Sequence, residues 1–160
     1  MKLHHSTRSR VLILVLAMVV ALVTAEAQVC RPSGKVHGTQ GEKRTKAILT
    51  VNSFEEDGEP GTPSKCDNQY YSDDMLVVAL STGWFNKGER CDKEITIHGN
   101  GRSVKAKVVD ECDSTMGCDG DHDFQLPCSN NIVHASKAVW KALGVPESDW
   151  GEMGVFWSED

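Results

Sequence analysis

The 160-residue sequence is short of several things, and each shortage closes off a class of function. Beyond residue 23 no apolar stretch approaches the roughly 20 residues a membrane-spanning helix needs, so no membrane span is expected in the mature chain. Neither a Cys-x2-Cys nor a His-x3-His pair occurs, which argues against a zinc site and leaves no metal or other cofactor expected. Asn-x-Ser/Thr is absent, so N-glycosylation is not expected. Positive charge is scarce: 17 Lys and Arg stand against 23 Asp and Glu, a balance repelled by nucleic-acid phosphates and anionic lipid. The acidic run Asp119-Gly120-Asp121-His122-Asp123 suggests calcium only superficially. An EF-hand loop wants Gly at its sixth position and Glu at its twelfth, where Phe124 and Asn130 stand. Ser81 lacks the context of a nucleophile elbow.

What is present begins with export. Lys2, Arg8 and Arg10 precede an apolar run from Val11 to Val23, and Ala25 and Ala27 supply the small side chains of a cleavage site before Gln28. Residues 1–27 are therefore expected to be a signal peptide, and the protein to be secreted. Its removal lowers Lys plus Arg from 17 to 14 and Asp plus Glu from 23 to 22, leaving a mature net charge of −8. Residues 28–46 are polar and read as an N-terminal arm, and 47–160 as one domain. All six cysteines, Cys30, Cys66, Cys91, Cys112, Cys118 and Cys128, lie beyond the signal. In an oxidising compartment they read as three disulfides, with about 15 connectivities open.

Short β-like runs dominate the domain. Ala47 to Val51 is apolar and β-branched, and Met75 to Leu80 is a continuous apolar run suited to a strand buried on both faces. Ile95 to His98 and Val104 to Val108 alternate on either side of Asn100-Gly101, a strong hairpin signal. A loop of about 20 residues, Glu111 to Asn131, follows, and loops of that length kept in order by disulfides are usually functional. One helix is expected after it, capped by Ser136, with Val139, Trp140, Ala142 and Leu143 as its apolar face and Gly144 at its end. Val155 to Trp157 makes a last strand. Many short strands and one helix point to a small β-barrel with one crossover helix.

Several segments together resemble the kiwellin family of plant proteins, also called ripening-related proteins. They are Val51-Asn52-Ser53-Phe54, Pro63-Ser64-Lys65-Cys66-Asp67, Val78 to Phe85, Val108-Val109-Asp110-Glu111-Cys112-Asp113-Ser114, Gly117-Cys118-Asp119, Pro127-Cys128, Asn130 to Val133 and Ala138-Val139-Trp140. The resemblance implies a mainly β, six-stranded double-psi β-barrel stapled by disulfides, shared distantly with barwin and expansins. By similarity to expansins it implies a Cys66–Cys91 bond; Cys112–Cys118 would then close a local loop, and Cys30–Cys128 would tie the arm. It also implies a plant-defence protein of the apoplast whose partners are secreted pathogen proteins, a fungal chorismate mutase among them.

Two positions decide whether catalysis is expected. In double-psi hydrolases one Asp follows a barrel strand and another begins the crossover helix. Here Asp110 occupies the first position, but His134 stands at the second. Inversion needs two carboxylates about 6.5–9.5 Å apart, and only Asp113 or Asp123 could supply the missing one, so no enzyme is expected. Asp110 can instead bind a sugar hydroxyl or hold its loop through backbone N–H groups; His134 can serve as an acid or sit exposed near the helix. With Trp84, Tyr70 and Tyr71, these two residues form the expected binding groove, the aromatics suited to stacking on sugar or anchoring a protein, with packing inside the barrel the alternative for Trp84. The alternative to protein binding is an expansin-like binder or loosener of cell-wall polysaccharide, with glycan hydrolysis third.

Overall fold

A computed structural model describes residues 44–58, 61–120 and 124–159. The expected signal peptide, nearly all of the arm, and Cys30 lie outside them. Six strands form a closed barrel in the order β1-β5-β2-β4-β3-β6: β1 (Thr45–Val51), β2 (Val77–Ser81), β3 (Glu94–Gly99), β4 (Arg102–Cys112), β5 (Ile132–Ala135) and β6 (Glu152–Glu159). Closure removes every free sheet edge. Two of the pairings are parallel, β1 with β5 and β2 with β4, and the rest are antiparallel.

The alternation of side chains along each strand builds two apolar clusters. Leu49, Val78, Leu80, Ile95, Ile97, Val108, Val133, Val155 and Trp157 fill the inside of the barrel. Trp84 packs its edge on Trp157, with ring centroids 5.4 Å apart. The second cluster, Phe54, Val77, Ala79, Val109, Cys112 and Ile132, lies on the outward side of the same wall, beneath the loops. β2 is buried over its whole length because it serves both clusters. It begins at Val77, two residues later than its apolar run, since Met75 and Leu76 are exposed.

The hairpin between β3 and β4 turns at Asn100 and Gly101, both left-handed, as the Asn-Gly signal requires. A short helix, α1 (Thr82–Phe85), follows β2, and α2 (Lys137–Ala142) follows β5. Ser136 precedes α2 as expected, but its hydroxyl donates to the Met75 carbonyl at 2.6 Å, tying the helix entry to the loop before β2 instead of capping the helix. Gly144 ends the segment at φ +71°, a conformation glycine adopts without a Cβ penalty.

Two disulfides join described cysteines. Cys66–Cys91 ties the loop after β1 to the loop before β3. Cys112 pairs with Cys128, not with Cys118 as expected, which also removes Cys128 from the expected bond with Cys30. The backbone explains the exchange. Cys128 N–H donates to the Asp113 carbonyl at 2.7 Å, which sets Cys128 beside the end of β4. Cys118 N–H donates instead to the Gln125 carbonyl, also at 2.7 Å, so Cys118 is carried into the outer part of the loop. Cys118 is itself disulfide-bonded.

Candidate functional site

A cleft of about 760 Å³ opens on the outward face of β1, β5, β2 and β4. Strand register lines up its floor. Thr50 on β1 stands opposite His134 on β5, His134 opposite Ala79 on β2, and Ala79 opposite Asp110 on β4. Asp110 joins this row because of a bulge. Val78 pairs with Val108, yet Ala79 pairs with Asp110, so Val109 is the extra residue. Without it, Asp110 would alternate to the barrel interior; with it, Val109 packs in the outer cluster and Asp110 lines the cleft.

Asp110 is held by two backbone donors. Lys65 N–H and Glu111 N–H both reach Oδ1 at 2.8 Å, and beside them Cys66 N–H donates to the Val109 carbonyl at 3.1 Å. The carboxylate thus fastens the 63–66 loop to the bulge. Oδ2 has no hydrogen-bond partner among the described residues. Burial outweighs the two N–H bonds and pushes the Asp110 pKa up to about 6.

His134 is shifted the opposite way: burial of the ring lowers its pKa to about 4, so it is neutral at physiological pH. Nδ1 is hydrogen-bonded to the Thr50 hydroxyl. His134 is half-buried in the strand floor, neither exposed nor part of the helix cap. Together with Cys112 and Cys128 it forms a trio of metal-ligand atoms within 4.8 Å of one another, but both sulfurs are spent in their mutual disulfide.

Other carboxylates line the cleft without matching Asp110. Glu152 on β6 stands opposite Thr50, at the far end of the row, with β1, β5 and β2 between it and Asp110 along the cleft floor. Asp113 uses Oδ1 to accept from Thr115 N–H, Thr115 O–H and Met116 N–H, which folds the start of the long loop. Across the single alanine from Asp110, where a second acid would face it, the group is the His134 imidazole.

The aromatics of the expected groove separate. Trp84 is only 5% exposed and belongs to the barrel interior, because α1 turns it inward onto Trp157. Tyr70 is exposed and Tyr71 half-buried, both outside the cleft lining; Tyr71 O–H donates to Asp67 Oδ2 at 2.5 Å, and Lys107 lies over its ring. The cleft's apolar surface comes from residues that the sequence reading did not single out. Met116, Phe124 and Leu126 form a lip along it and are 56%, 75% and 58% exposed. The only signal for them was their place in the long loop.

Comparison with known proteins agrees with this architecture. The Kiwellin-1 family model matches residues 42–160. Ripening-related protein grip22 of Vitis vinifera is 50% identical over 142 residues, covering 81% of this chain and 64% of the relative. Kiwellin of Actinidia chinensis var. chinensis is 49% identical over 141 residues, covering 81% and 66%. The chain therefore spans a little under two thirds of these relatives. Among solved structures, an expansin of Clavibacter michiganensis superposes with a TM-score of 0.52 at 17% identity, covering 73% of this chain and 50% of the expansin. A variant of that expansin has been solved in complex with cellohexaose. Streptomyces papain inhibitor gives a TM-score of 0.50 at 16% identity, covering 78% of this chain and 97% of the inhibitor. The two superpositions place the barrel in the double-psi class, and the sequence matches go further: this chain belongs to the kiwellin family.

Proposed function

We propose that this chain is a secreted plant-defence protein that works by binding secreted proteins of pathogens, without catalysis of its own. The observation that carries this reading is the pairing of an exposed apolar lip with a floor holding one raised carboxylate. Large apolar side chains left in solvent along a cleft are characteristic of interaction sites. The lip is stapled: Cys112–Cys128 closes its base, and Cys118 within it is also bridged. A loop already ordered loses less entropy on binding. A similar fold carries the Streptomyces papain inhibitor.

Asp110 and His134 do not make an acid–base pair for glycan cleavage. The imidazole is neutral across the working range, and a group that protonates only near pH 4 is a weak base.

A pull-down from pathogen-infected extracellular fluid tests the reading. One dominant secreted fungal or bacterial protein is expected, with a chorismate mutase the first candidate; recovery of nothing specific overturns it. Release of reducing sugars that stops in Asp110→Ala would contradict the non-catalytic part.

A second reading, binding of cell-wall polysaccharide, is favoured by the expansin that holds cellohexaose on this fold. Against it, Trp84, Trp140 and Trp157 are buried and the half-buried Trp150 lies outside the cleft lining, so no indole is offered as a stacking platform there. Titration with cellohexaose and sedimentation with insoluble cellulose separate the two readings.

A further inference from the structure

The chemistry of the cleft specifies what part of a bound protein would enter it. Four carboxylates line it, Asp110, Glu111, Asp113 and Glu152, against a single lysine, Lys65. A neutral glycan makes no use of that imbalance, whereas a lysine or arginine side chain does.

Phe124 adds an independent observation. Its backbone sits at φ +57°, a region bulky residues rarely occupy. Phe124 N–H donates to the Asp119 carbonyl at 2.9 Å, holding it there. Cys118, at φ +62°, donates to the Gln125 carbonyl. Gly117 lets these strands of the loop close up, since a Cβ there would come within 2.7 Å of the Gln125 oxygen. The whole arrangement fixes an aromatic ring that contributes nothing to either core and remains three-quarters exposed. An aromatic anchor held outside the fold is the form a hot spot takes before its partner arrives.

Resting on the protein-binding reading above, we propose that the cleft takes an extended segment of the bound protein in which a lysine or arginine neighbours an apolar residue. The apolar side chain packs on Phe124, Leu126 and Met116, and the cation lies over Asp110 and Glu111. The closed barrel offers no strand edge, so side chains rather than backbone pairing determine recognition.

Isothermal titration of the full disulfide-bonded protein tests this with four probes. They are a blocked hexapeptide alternating lysine and leucine, the same peptide with glutamate for lysine, the same with serine for leucine, and cellohexaose. Only the lysine–leucine peptide is expected to bind, with affinity falling as salt rises. A Phe124→Ala/Leu126→Ala variant, and separately Asp110→Asn, are expected to weaken it at least tenfold. Asp110→Asn keeps the Oδ1 acceptor for both N–H groups, so folding is preserved. Phe156→Ser, an exposed position on β6 outside the cleft lining, is expected to leave binding unchanged. Equal binding of the glutamate peptide or of cellohexaose overturns the inference, as does indifference to the lip variant. If a pathogen protein is captured from infected fluid while no probe binds, this inference fails and the protein-binding reading stands. If nothing is captured, the reading itself fails.

Discussion

The inner and outer faces of one barrel wall obey different rules. On the inner side of β1, β5, β2 and β4, Leu49, Val133, Val78, Leu80 and Val108 are fully buried and wholly apolar. On the outer side stand Thr50, His134 and Ala79, each one residue away along its strand, and Asp110, two residues beyond Val108 because of the bulge at Val109. The inner row has the composition of a fold built for stability. The outer row carries two ionisable groups at positions where burial opposes their charged forms. Asp110 partly serves the fold, fastening the 63–66 loop through Oδ1, while His134 is tied to Thr50 across the strand floor.

The two outer groups act against each other as pH changes. Between about pH 4 and 6 folded Asp110 holds more proton than unfolded Asp does, so its contribution to stability falls as pH rises. Over about pH 4 to 6.5 folded His134 holds less proton than an unfolded His, so its contribution rises with pH. Each shift corresponds to about 3 kcal/mol at most. In their shared window the slopes cancel, and these two groups leave the wild-type stability nearly flat. Lys65 and Glu111 also act on Asp110, one lowering and the other raising its pKa, both less than burial does.

The contrast can be broken most severely from inside. Leu80→Ala removes a fully buried side chain and is expected to cost about 2–5 kcal/mol in urea denaturation, with no effect on what binds the cleft beyond the loss of folded protein. Replacing Cys112 and Cys128 together by Ser removes the bond under the lip and is expected to cost about 2–4 kcal/mol in the same assay. His134→Gln leaves Asp110 unopposed: thermal melts are expected to show a gain of about 2 kcal/mol at pH 4.5, shrinking to nothing by pH 7.5. Phe124→Ala has the smallest effect on stability, within about 0.5 kcal/mol by denaturation, because the ring is buried in neither cluster.

Much of the inner face was legible in the sequence. Alternation in Val104 to Val108, the Asn100-Gly101 turn and the apolar run before Ser81 place three strands, and local chemistry dictates them. The outer face was legible only in part. Asp110 stood out by its context, but its arrival in the cleft depends on a bulge at Val109 that only the pairing of β2 with β4 reveals. His134 looked like part of a helix start, yet parallel pairing with β1 puts it beside Thr50. For Trp84 the sequence left groove and barrel interior both open, and a four-residue helix turns it inward. The disulfide of Cys112 follows a long loop that returns Cys128 to the end of β4, a closure that spacing along the chain does not encode.

Asp110 is half-buried, and keeping its carboxylate charged there costs the fold stability. Chemical denaturation of wild type and Asp110→Asn, side by side at pH 7.5 and at pH 3.5, measures that cost directly. The variant is expected to be more stable by about 2–3 kcal/mol at pH 7.5 and nearly equal at pH 3.5, where the carboxyl is mostly protonated in both states. A variant no more stable than wild type at pH 7.5 would contradict the account and make Asp110 a loop fastener alone.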